Sequence, residues 1–149
     1  MPPLGRGQPN DNTGARNQTL GALLWLAIEQ SRLPLKLFDS STGFLLADGS
    51  VRSPDASVVR LGRWQALSEA ERDGFPALCP DLVVELAAYM TNGASLGWLL
   101  LPQSRTVEVW KAGAAESAHS PLVISDPARL EAGPELPGLV IDPRRIWEV

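Results

Sequence analysis

One histidine, one cysteine and two lysines are all that this 149-residue chain has of those types, and each scarcity removes a class of chemistry. Lone Cys79 admits neither an internal disulfide nor a cysteine-built zinc site. Standing just before Pro80, it reads most simply as a small buried hydrophobe. Lone His119 lies in the polar run AAESAHSP, where a surface role is expected. No histidine pair can bind metal or share acid and base work, and the serines have only this one base for a triad. Lys36 and Lys111 are the only lysines, arginines supply the other positive charges, and the net charge is −4 with a pI of about 5.0. The chain therefore has no global basic field to draw it onto nucleic acid. That balance still allows a local groove reaching phosphate through a bound metal. No run of roughly 18 or more apolar residues occurs, so no membrane span is expected. The opening MPPLGRGQPNDNTGARN lacks the apolar core of a signal peptide, and a cytoplasmic protein is expected. No glycine motif for cradling phosphate follows a strand.

What is present is apolar content, 44% of residues, enough for one domain over residues 1–149 with a real core. Residues 1–13 are rich in Gly, Pro and Asn and read as an irregular leader. Thr13 is a plausible N-cap for a helix to about Gln30. Its Leu20, Leu23, Leu24, Ala27 and Ile28 follow the spacing of one apolar face, and Pro34 blocks continuation. Leu35 to Phe38 and Gly43 to Leu46 are short strand candidates. Asp48-Gly49 marks a hairpin turn of type I′, which needs positive φ. The returning strand runs from Val51 through Val58 and Val59, with Pro54 forcing an edge or bulge position. Trp64 to Arg72 reads as one short amphipathic helix. Leu82 to Leu86 is the strongest central strand, and Leu96 to Leu101 is apolar on both faces. Gln103-Ser104 is a turn before an alternating strand with Val107 and Val109. Leu122 to Ile124 and Leu139 to Ile141 complete a strand-dominated α/β or α+β protein. Trp25, Trp64, Trp98, Trp110 and Trp147 are spread too widely for a base-stacking platform and suit core or shell packing.

The pattern that carries chemistry is Ser53-Pro54-Asp55 followed by Pro80-Asp81-Leu82-Val83-Val84-Glu85. It sets Asp55 and Glu85 on or beside neighbouring apolar strands, where an unpaired carboxylate is costly. Two such acids at one point can share a divalent cation, leaving positions for phosphate and water. Simpler readings stand beside this one. Pro54-Asp55 is a common turn dipeptide, and Glu85 could face solvent from a strand with one wet face. On spacing alone the simpler readings are preferred.

The blocks TGARNQTLGALLWL, FDSSTGFLLADGSVRSPDASVV, CPDLVVEL, YMTNGASLGWLLLP, TVEVW and LPGLVID together resemble a bacterial family of restriction-endonuclease-like proteins. That family lies within the PD-(D/E)XK nuclease superfamily. The resemblance spans nearly the whole chain. It implies a restriction-endonuclease-like core, a mixed β-sheet flanked by helices, and a Mg²⁺- or Mn²⁺-dependent nuclease acting on DNA. Asp55 and Glu85 would be the metal-binding acids, with Asp81 in a supporting role. Asn17 matches a recurrent family Asn for which a helix-packing contact is preferred. A homodimer whose paired clefts span a duplex is a further, weaker implication.

The chain departs from the family pattern twice. Members carry a Lys-bearing helix between the Glu and the Tyr-x-x-x-Gly block, whereas here Glu85-Leu86 runs through Ala87-Ala88 straight into Tyr89. Members also carry a helix and strand ahead of the block that begins here at Met1. Neither Lys36 nor Lys111 matches the catalytic lysine's position. Two readings stand: residues omitted at these two places, or a deletion that cripples water activation. The alternative function is a nuclease scaffold that binds partners without cleaving.

Overall fold

The computed structural model describes residues 12–86, 94–111 and 121–149. Most of the expected leader, the segment after Leu86 and the loop holding His119 lie outside them. Helix α1 (Asn12–Gln30) buries Leu20, Leu24 and Ile28, the i, i+4, i+8 stripe of one face. It starts at Asn12, so Thr13 stands inside the helix rather than capping it. Its end is closed before Pro34 is reached. Arg32 adopts φ 51°, while Arg32 N–H returns to the Glu29 carbonyl and Leu33 N–H to that of Ile28. Those two bonds form a Schellman motif, which satisfies carbonyls the helix would otherwise leave open.

Among the described residues the main sheet has six strands in the order β1-β4-β5-β6-β7-β8. They are β1 (Leu35–Asp39), β4 (Ala56–Arg60), β5 (Leu82–Leu86), β6 (Leu96–Leu101), β7 (Thr106–Lys111) and β8 (Leu122–Ser125). Only β5 and β6 pair in parallel. Both are nearly continuous apolar runs, as strands covered on two faces should be. One face packs against α1, the hairpin β9–β10 (Leu130–Glu131 and Val140–Ile141) and the short C-terminal helix α4 (Arg144–Trp147). Fully buried Val58, Leu82, Val84, Trp98, Leu100 and Val107 form that core. The opposite face is capped near β1 and β4 by a smaller cluster of Phe38, Phe44, Val59, Trp64 and Leu78. Among the described residues no helix is long and apolar enough to cross a membrane.

Four local expectations change, the first being that the strand expected from Val51 through Val59 is two, Val51–Arg52 and Ala56–Arg60, in different sheets, because Pro54 interrupts the run. Strands β2 (Phe44–Leu45) and β3 (Val51–Arg52) do form a hairpin, but Gly49 has φ 88° and Asp48 has no positive φ. Gly49 N–H closes a turn on the Leu46 carbonyl, and Leu46 N–H bonds Ser50 O. This is a three-residue loop with glycine at the left-handed position, not a type I′ turn. The helix expected over Trp64–Arg72 is two pieces, α2 (Leu61–Gln65) and α3 (Glu69–Asp73). Ser68 starts α3 anew by a reciprocal capping box with Glu71, a signal in the letters that the amphipathic spacing hid. Cys79 is half-buried rather than fully buried.

Candidate functional site

Strand β4 runs antiparallel to β5 with Ala56 facing Val84, and the register carried one residue further sets Asp55 opposite Glu85. Pro54 has no N–H to give to a ladder, so regular pairing cannot extend back through it. The two acids then brace the strand ends reciprocally. Asp55 N–H donates to Glu85 Oε1 at 3.3 Å, and Leu86 N–H donates to Asp55 Oδ2 at 2.8 Å. Asp55 therefore spends an oxygen on the neighbouring strand rather than on a turn of its own. Both residues are half-buried, so Glu85 does not stand on a fully wet face.

Like charges set opposite each other on adjoining strands repel, and a divalent cation relieves that cost. The donor chemistry fits Mg²⁺, which takes carboxylate oxygens, keeps several waters and is commonly held by one or two carboxylates. Among the described residues no cluster of three or more His, Cys, Asp or Glu side chains gathers. Asp55 and Glu85 would thus hold such an ion together with water.

Asp81 is not part of this pair. It precedes β5 by one residue and lies four residues from Glu85, about 13 Å along an extended chain. It is buried, at 2% exposure. Oδ2 accepts the backbone N–H of Arg60 at 2.7 Å, and Oδ1 accepts Arg63 Nη1 at 2.8 Å and Arg60 Nη1 at 3.5 Å. Its own N–H bonds the Val58 carbonyl. Neither arginine stood out in the sequence, because a contact across 18 or 21 residues becomes visible only once the β4–β5 register is known. Cys79 lies beside this cluster. Burial pushes its thiol up, Arg63 pulls it down and Asp81 pushes it up again; the net rise keeps it protonated and a poor nucleophile.

Both lysines stand at the Asp81 end of the sheet. Lys36 faces Val59, level with Asp81, and its Nζ lies 5.8 Å from the ring centres of Phe38 and Trp64. Lys111 faces Leu96, which faces Leu82, and its Nζ is 3.7 Å from a Glu135 carboxylate oxygen. Asn17 sits on α1 with Oδ1 buried and without a hydrogen-bond partner among the described residues.

A protein family described as "Uma2: Putative restriction endonuclease" matches residues 5–144. The fold is similar to the crystal structure of a putative nuclease belonging to DUF820 from Anabaena variabilis ATCC 29413. That match has a TM-score of 0.67 at 15% identity, covering 97% of this chain and 85% of the other. No curated protein matches the chain. Together the family and the fold support a nuclease-type function.

Proposed function

Because the chain belongs to the Uma2 family, described as putative restriction endonuclease, we propose that it is a Mg²⁺- or Mn²⁺-dependent nuclease hydrolysing phosphodiester bonds in DNA. The observation that carries this reading is the crossed brace at one end of β4 and β5, Asp55 N–H to Glu85 Oε1 and Leu86 N–H to Asp55 Oδ2, which sets the two acids side by side. These two carboxylates would hold the cation, whose contribution when bound is Lewis-acid stabilisation of charge on phosphate. The chain's own contribution is placement. The β4–β5 ladder pairs only three residues on each strand, Ala56 to Val58 with Leu82 to Val84. Acid side chains tie it to backbone N–H groups at both ends: Asp55 and Glu85 at one, Asp81 at the other. Asp81 in this reading is a positioning residue, holding β4 in register so that the carboxylates meet.

Calorimetric titration of Mg²⁺ and Mn²⁺ into the wild type and Glu85→Ala tests the site. A saturating isotherm that Glu85→Ala abolishes is expected, and identical isotherms would overturn the site. Plasmid and oligonucleotide substrates in Mn²⁺ test the chemistry, with cleavage expected to vanish in Asp55→Asn.

A second reading, a nuclease scaffold that binds without cutting, is favoured by one observation. Both lysines are engaged at the far end of the sheet, three to four residues from the level of Glu85. Binding of metal with no cleavage of any substrate in Mn²⁺ is the outcome that selects it.

A further inference from the structure

At the Asp81 end of the sheet lies a cavity of about 560 Å³, inside the range of roughly 300–1,000 Å³ typical of small-molecule sites. Pro34, Leu35, Leu136 and Pro137 make its apolar walls, and Gly62, Arg60 and Arg63 complete it. The two guanidinium groups are fixed before any ligand arrives. Arg63 is held by Asp81, and Arg60 by Asp81 and by the Glu135 carbonyl. Their side chains are 51% and 42% exposed for Arg60 and Arg63, while that of Asp81 is 3% exposed. One buried carboxylate offsets one of two guanidinium charges. The nearby Glu135 is offset in turn by Lys111. Among the side chains that line the cavity and their ion-pair partners, one net positive charge remains; Lys36 is not among them, packing instead on Phe38 and Trp64.

We infer that this cavity binds a small monoanion with an apolar body, its carboxylate received by Arg60 and Arg63. The planar guanidinium fork matches a carboxylate, and an anchor already held in place loses little freedom on binding. A single excess charge suits a monoanion. A dianion would leave charge uncompensated against apolar walls, which is costly.

Decanoate is the probe, with decanol (same body, no charge) and acetate (same charge, no body) as controls, titrated by calorimetry. Saturable decanoate binding is expected, at least about tenfold tighter than decanol, with acetate undetectable. Losing a charge-assisted hydrogen bond is worth about tenfold or more, so Arg63→Gln weakens decanoate by that factor and leaves decanol unchanged. Arg63→Gln also disturbs Asp81, so Gly62→Phe provides a second arm. Gly62 lines the cavity and a Cβ there meets nothing within 4 Å, so a larger side chain at this position occupies space without replacing any member of the ion pairs. It should weaken decanoate and decanol alike by about tenfold or more. The inference is overturned by no saturable decanoate binding, by decanol binding as tightly, or by Gly62→Phe without effect.

Discussion

Asparagine and alanine at position 55 separate what Asp55 does for the fold from what it does for a cation. In Asp55→Ala the Leu86 N–H loses its acceptor, now at 2.8 Å, in a half-buried setting. An unsatisfied donor of that kind costs about 1–3 kcal/mol. Asp55→Asn keeps an oxygen in place. It weakens the bond by removing charge, and it also relieves the repulsion with Glu85 across the register. The two effects oppose, and the net cost is under about 1 kcal/mol. Urea unfolding without divalent ions measures both. With a slope of roughly 2 kcal/mol per molar, the alanine midpoint falls by about 0.5–1.5 M and the asparagine midpoint by less than about 0.5 M, at unchanged slope. Adding Mg²⁺ inverts the grouping. A ligand bound only by the folded state at a hundredfold excess over its Kd adds about 2.7 kcal/mol. The wild type should gain that increment, while both variants, each missing a carboxylate, gain little. Equal losses for alanine and asparagine would refute the brace, and equal Mg²⁺ stabilisation of wild type and Asp55→Asn would refute the metal site.

Other perturbations probe the rest of the architecture. Trp98 is fully buried, so Trp98→Ala should cost about 3–5 kcal/mol. Trp98→Phe keeps an aromatic ring in the same place and removes less volume, so it should cost clearly less in the same melts. At Asp81 the two sides of the ion pair are unequal. Asp81→Asn leaves half-exposed guanidiniums that water can serve, at about 1–2 kcal/mol. Replacing both Arg60 and Arg63 with alanine strands a buried carboxylate and should approach about 3 kcal/mol, and the reverse order in urea midpoints would defeat this account. The Ser68 backbone N–H and then its hydroxyl hold the Glu71 carboxyl below its ordinary value. Because the folded value is the lower one, the stabilisation is complete above the ordinary glutamate range and fades as pH falls through the folded value. An NMR titration should show Ser68→Ala, which removes the hydroxyl and keeps the backbone N–H, moving Glu71 only part of the way back up, and a wild-type Glu71 titrating at its ordinary value would contradict the capping box.

What was readable in the letters was whatever continuous pattern decides. LVVEL and LGWLLL are apolar without alternation, and a strand covered on both faces is their natural fate. The stripe of α1 buried Leu20, Leu24 and Ile28 and set Leu23 and Ala27, half-buried, against the same core. What was unreadable depended on register. Asp81 and Glu85 belong to one family block, yet only the pairing of β4 with β5 shows that they serve opposite ends of a strand. Arg60 and Arg63 gain meaning from the same register. The break between α2 and α3 was legible in Ser68 and Glu71, but an apolar spacing running across it argued for one helix. The hairpin turn differed because Asp-Gly serves a three-residue loop as well as a type I′ turn, and only backbone angles separate the two.

The placement of positive charge bears on how phosphate could reach the candidate site. Lys36, Lys111, Arg60 and Arg63 all gather around the Asp81 end of the sheet, where the ring contacts, Glu135 and Asp81 already engage them. At the other end, Asp55 and Glu85 present two carboxylates in a chain whose net charge is −4. A phosphodiester approaching those two carboxylates meets repulsion unless a divalent cation intervenes; neither lysine stands at that end, and Arg52 and Arg105 are the arginines that approach it along the chain. DNA affinity in the proposed reading is therefore governed by the divalent ion rather than by release of counterions from many basic contacts. Its dependence on monovalent salt should be shallow, since each phosphate neutralised by the protein contributes about −0.9 to the slope. Withdrawal of Mg²⁺ should abolish binding at any ionic strength. A steep salt slope with metal absent would place the DNA on the Arg60 and Arg63 end instead, and would detach the carboxylate pair from nucleic acid altogether.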